Sequence, residues 1–171
     1  MWDSITAEAS AESALWAEVI RPAGEHERVP VFSPLGPPGQ ALGLETIYEG
    51  YLVHYGRSRL FAPTDRDAAL LLGDYLYAHG LVRVAETGDV AAVSDLAELI
   101  SLCAQSRADG RDGDGPAWAA TSALLACGGL DDARATLRGD RDPAPLERLA
   151  RKAAGDDAVD RALAAHVARL V

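Results

Sequence analysis

Lysine is almost absent from this chain. Lys152 stands alone, arginine supplies every other cationic side chain, and the acidic residues outnumber them to leave a formal charge of −10. A surface of that sign repels a phosphate backbone, which argues against nucleic acid as a partner. Cysteine is scarce too. Cys103 and Cys127 lack the paired spacing of a zinc site or the density of a disulfide scaffold, and both fall in apolar helical patterns, so two buried thiols are expected. His26, His54, His79 and His166 show no metal-ligand spacing, and the chain holds no nucleophile signature and no phosphate-cradling glycine loop. Local motifs therefore assign no catalytic residue and no cofactor. Long hydrophobic runs are missing as well: none approaches the roughly 20 apolar residues that span a bilayer. The N-terminal MWDSITAEAS has neither the basic segment nor the apolar core of a leader, which predicts a cytoplasmic, acidic protein without a transmembrane segment.

What is present is helical periodicity. With 171 residues, 49% of them hydrophobic, the chain has the size and composition of one all-α domain over residues 1–171, built as a compact helical bundle. Ile5, Ala9, Trp16 and Val19/Ile20 predict an amphipathic helix over residues 3–20. Residues 21–41 hold five of the nine prolines, so this segment is a connection without helix. Val29, Val31 and Phe32 would pin it to the core as a strap.

The stretch Leu44–Gln105 organises the rest. A first helix, about Leu42 to Tyr55, carries a stripe of Leu44, Ile47/Tyr48, Tyr51/Leu52 and Tyr55, with Glu45 and Glu49 stacked on another side. All five tyrosines lie between Tyr48 and Tyr77, which fits either core filling with hydroxyls at the edge or an interface. Thr64 and Asp67 form a capping box for a second helix from Asp65 to about Thr87. Between Ala68 and Ala85 only Asp74, His79 and Arg83 are strongly polar, so this helix should be enclosed by others. Gly73 and Gly80 lie seven apart on one side, and each costs up to about 1 kcal/mol in a helix. A close approach by a neighbouring helix or a bound group would compensate. Asp74, read as buried, needs a partner such as His54, Arg57 or Arg59. Gly88-Asp89 makes a tight turn into a third, antiparallel helix, about Val90 to Arg107.

ADGRDGDG, residues 108–115, is a loop whose acidic residues fit a calcium site poorly, because Arg111 breaks the ligand spacing and no closing glutamate follows. Short helices come next, over 116–127, 131–138, 143–154 and 156–170. Asp156, Asp157 and Asp160 form a literal DDxxD, the pattern that holds magnesium against a diphosphate. At a helix start after Gly155, the same residues serve equally as caps and as charges favourable to the helix dipole.

LLLGDYLYAHGLVRVAETGDVAAVSDLAELISLCAQ resembles a helical region of the trans-isoprenyl diphosphate synthases, in which a GDYLL-A-A helix follows one ending in apolar-His-Asp-Asp. Tyr51-Leu52-Val53-His54 looks like that preceding helix. Tyr55 and Gly56 stand where the first magnesium-binding aspartates would be, and the connection to Gly73-Asp74 is shorter than in the enzymes. GGLDDARATL and the last helix look faintly like the enzymes' C-terminal region, whereas the second aspartate helix has no counterpart between Gln105 and Gly128. The resemblance covers Leu44–Gln105 and little else. It implies a truncated isoprenoid synthase-like fold, similar to the noncatalytic small subunits of heteromeric polyprenyl synthases, which bind a catalytic subunit and help set product length. On that reading Tyr48, Tyr51, Tyr55, Leu72, Leu76 and His79 form the partner interface, with no cofactor. Two alternatives stay open: a small isoprenoid or diphosphate enzyme using magnesium at Asp156, Asp157 and Asp160, and a homo-oligomeric helical scaffold or regulator.

Overall fold

A computed structural model describes residues 1–170. Among these residues the chain forms nine α-helices, three short 3-10 turns and no strand beyond two isolated bridges. α1 (Trp2–Glu12) and α2 (Ala14–Glu18) replace the single helix expected over 3–20. Ser13 is extended, and its hydroxyl accepts from the amide of Leu15 at 3.2 Å, restarting the helix in a new direction. The strap then crosses the core through 3-10 turns at Ala23–Glu25, Ser33–Leu35 and Pro38–Gln40. Val31, Phe32 and Leu35 enter the core, and Val29 stays outside.

α3 (Ala41–Tyr55) is the central element: every residue from Gly43 to Val53 is buried. The enclosed helix is thus α3, and not its successor α4 (Arg66–Ala85), which has an open side. The two lie against each other through glycines on both. A Cβ on Gly80 would come within 2.4 Å of Ile47 and 3.1 Å of the Gly43 carbonyl, and one on Gly50 within 2.9 Å of the Gly73 carbonyl. The close approach expected at Gly73 and Gly80 is therefore made by a neighbouring helix, which contributes Gly43 and Gly50 in return. The α4 cap is Asp65, accepting from Ala68 at 2.8 Å, one residue beyond the anticipated Thr64.

Asp89 caps α5 (Val90–Ala108) through the amide of Ala92 at 3.0 Å, as the turn at Gly88-Asp89 required. α6 (Asp114–Ala123) begins two residues before Pro116, drawing Asp114 out of the loop and into the interior. α7 (Asp131–Asp140), α8 (Ala144–Ala154) and α9 (Asp156–Val167) complete the cover. α9 returns to the end of α3, where the Arg57 amide donates to the Arg169 carbonyl at 2.8 Å. A Cβ at Gly56 would meet that same carbonyl at 2.6 Å, so glycine is what lets the chain close there.

Two apolar cores result. The larger gathers α3, α5, α6, α8, α9 and the strap around Phe32, Tyr48 and Trp118. The smaller joins Trp2, Ile5 and Trp16 to Leu60, Phe61, Leu72 and Leu76. No helix of the described residues is long and apolar enough to cross a membrane.

Candidate functional site

Glu45 and Glu49, one turn apart on α3, point into the fold and not toward solvent. Arg59 stands between them, with Nη1 at 2.6 Å from Glu45 and Nε at 2.8 Å from Glu49, and all three side chains are buried. Each carboxylate also collects backbone donors. Glu45 accepts from the amides of Val31 and Ser33, pinning the strap, and Glu49 accepts from the amides of Arg59 and Leu60 and from the Ser58 hydroxyl. The guanidinium lies 4.6 Å from the ring centre of Trp2 and 5.1 Å from that of Tyr48. Burial works against its charge, but the two carboxylates more than offset that and push its pKa up. The cluster fastens the strap and the 56–61 loop to α3.

A second polar cluster occupies the middle of the larger core. Asp114 accepts from Tyr51 and, at 2.6 Å, from Nε of Arg107, whose Nη2 also donates to the Tyr51 hydroxyl at 2.7 Å. The Tyr48 hydroxyl lies 2.9 Å from Nδ1 of His166. Burial of Asp114 opposes its charge, yet His166, Tyr51 and Arg107 around it hold the carboxyl well below its usual range. Burial first, then the Asp114 charge and hydrogen bond, push the Tyr51 phenol up, and burial likewise raises Tyr48. Cys103, fully enclosed nearby, has its thiol pushed well up by burial, which leaves it poorly nucleophilic. Cys127, expected to be buried, is exposed.

Four of the six residues assigned to a partner interface are enclosed by the chain itself. Tyr48 and Tyr51 belong to the larger core, Leu72 and Leu76 to the smaller one, where α1 covers that side of α4. His79 is half-buried and paired with Glu8 at 2.5 Å, and Tyr55 is half-buried beside Tyr51 and His54. The open face of α4 is the opposite one: Leu70, Leu71 and Val82 are 53%, 56% and 54% exposed, with Ala78 and Ala85 also in solvent. Asp74 shares that open side. It is exposed rather than buried, and faces Nε2 of His54 at 3.2 Å, one of the partners its chemistry had suggested. Arg57 pairs instead with Glu27.

The DDxxD does not gather. Asp156 and Asp160 both turn to Arg151, at 3.5 and 2.7 Å, and neither they nor Asp157 caps the helix with a side chain. Among the described residues no group of three or more His, Cys, Asp or Glu side chains is placed to hold a metal ion.

Sequence reasoning missed Arg59, Arg107, Asp114 and His166 as members of interior clusters. A signal existed for one: Arg59 follows the Gly56 helix end within reach of two carboxylates spaced i, i+4. Nothing local announces that Asp114 and His166 meet. Comparison with family models, curated proteins and solved structures finds no match for this chain.

Proposed function

We propose that the chain is a noncatalytic accessory subunit of a heteromeric polyprenyl diphosphate synthase, docking on the catalytic subunit through the open face of α4 and influencing product length. The observation that carries this reading is the apolar row of Leu70, Leu71, Ala78, Val82 and Ala85, left in solvent on a helix whose other side is close-packed. The sequence resemblance over Leu44–Gln105 supplies the kind of partner. Both polar clusters support a structural role, since their charged members are spent on one another and on backbone amides.

The homo-oligomeric alternative is disfavoured by charge. The row is flanked by exposed Asp67, Asp74 and Glu86, against Arg66 alone. A second copy would bring like charges together, whereas a partner with basic side chains around an apolar helix face is complementary. The test is co-purification with the catalytic synthase of the same host. Leu71→Asp and Val82→Asp should each weaken capture by tenfold or more, as expected for a charge buried in an apolar contact, with the far-UV spectrum unchanged. Separate elution of the two wild-type proteins, with product length unaltered on mixing, sinks the proposal.

A further inference from the structure

Away from α4, one side of α7 faces one side of α8 across a hollow of about 390 Å³. Asp132, Ala133 and Thr136 line it from α7, and Pro145, Arg148, Leu149 and Lys152 from α8. Spacings of three and four residues put each set along one edge of its helix, so the hollow is a trough between two helical walls. Both walls are anchored from behind. Arg134 pairs with Asp95 at 3.0 Å and Arg138 with Glu98, tying α7 to α5, while α8 sinks Leu146 and Ala150 into the larger core. The fold itself therefore holds the trough in shape, at a size that takes small ligands.

Its floor is apolar, from Ala133, Pro145 and Leu149, and its charges are sorted by wall. Asp132 stands on the α7 side. Arg148 and Lys152, the only lysine of the chain, stand one turn apart on the α8 side. None of the three takes part in an ion pair among the described residues, and they do not pair with one another across the trough. The charges beside them are already engaged: Asp131 faces Arg134 at 4.0 Å, and Glu147 holds Arg151 at 2.7 Å. A dianion would be repelled by Asp132, and a dication by Arg148 and Lys152. The complement of such a trough is a molecule with both signs at separate ends and an apolar body between them.

We infer that this trough binds a small apolar zwitterion, an amino acid or short peptide with free ends. Its ammonium meets Asp132, its carboxylate lies between Arg148 and Lys152, and its body rests on Ala133, Pro145 and Leu149. No residue of the α4 docking face lines this trough, and the inference stands whether or not the accessory-subunit reading does.

The test titrates the full chain with the dipeptide Leu-Phe and follows backbone amide shifts. Saturable shifts centred on Ala133, Thr136 and Leu149 are expected. Acetylating the amine or amidating the carboxylate of the dipeptide should each weaken binding about tenfold, the worth of a charge-assisted contact. Asp132→Asn should weaken the free dipeptide by a similar factor and leave the acetylated one unchanged. Arg148→Gln combined with Lys152→Gln should do the same for the free and amidated forms. All three side chains are exposed, so far-UV dichroism should stay that of the wild type. Val82→Asp, on the docking face, should leave binding unaltered. L-Phenylalanine binding as tightly as the dipeptide would identify the ligand as an amino acid, and binding tenfold more weakly would identify it as a peptide. Shifts that do not saturate, equal affinity for the free and both blocked dipeptides, or variants that bind like wild type overturn the inference.

Discussion

Arg59 shows how much of this molecule depends on single buried charges. It neutralises two carboxylates that no solvent reaches, and those carboxylates in turn hold five donors from the strap and the loop. Replacing Arg59 with Met should cost about 3–5 kcal/mol of unfolding free energy, because it leaves both carboxylates unpaired in the interior. Arg28→Met, which breaks an exposed pair with Asp3, should cost no more than about 1 kcal/mol. Urea denaturation of the two variants checks the contrast; equal losses would refute it. Only the nearness of Arg59 to two carboxylates spaced i, i+4 hinted at this in the sequence. Glu45 and Glu49 have the spacing of a solvated helix edge, and only the later position of Arg59 turns that edge inward.

At the scale of elements, helix positions and turns could be read from periodicity, but enclosure could not. α4 is rich in Leu, Val and Ala on every side and so reads as interior, while α3 carries two glutamates and reads as amphipathic. The fold reverses them. Burial follows from which faces find a partner, and the α4 row finds none in this chain, while the glutamates of α3 find Arg59. The glycines were the more reliable guide. Gly80→Ala puts a methyl group against Ile47 and the Gly43 carbonyl. It should destabilise by about 1–3 kcal/mol, overriding the roughly 1 kcal/mol gain in helix propensity. At Gly73 the three nearest atoms all belong to the His54 ring, a side chain that can shift more readily than a backbone carbonyl. Gly73→Ala should therefore cost less, and move His54 away from Asp74. Burial depresses the His54 pKa and Asp74 partly restores it, so NMR titration of the imidazole should shift to lower pH in that variant. An unchanged titration would mean that the pair survives.

For the molecule as a whole, acid is the expected weak point. Asp114 ties α3, α5 and α6 together beside α9, and its carboxyl is depressed below the unfolded value. A group shifted in that direction contributes its full stability above the ordinary carboxylate range. That contribution is lost as the pH falls from about 5 toward the folded-state value. Asp114→Asn should lower stability at pH 7 by about 2–3 kcal/mol and flatten the acid limb of the stability curve. Urea midpoints measured between pH 7 and pH 3 test it, and parallel curves for variant and wild type would contradict it. All-α architecture, the strap and the α4–α5 turn could be foreseen from composition and capping residues. The convergence of Asp114, more than 60 positions from Tyr51, with His166 at the far end of the chain has no short-range signature.

The closure of α9 onto α3 has a consequence for synthesis. Tyr48 is satisfied by His166, Arg57 by the Arg169 carbonyl, and Glu27 shares Arg169 with Arg57. A nascent chain that has emerged only as far as α8 leaves the Tyr48 hydroxyl and the Arg57 amide without these partners and one side of α3 uncovered. The helices made before it must therefore wait, partly folded, for α9, so the docking of α9 on α3 is a late, long-range step in folding.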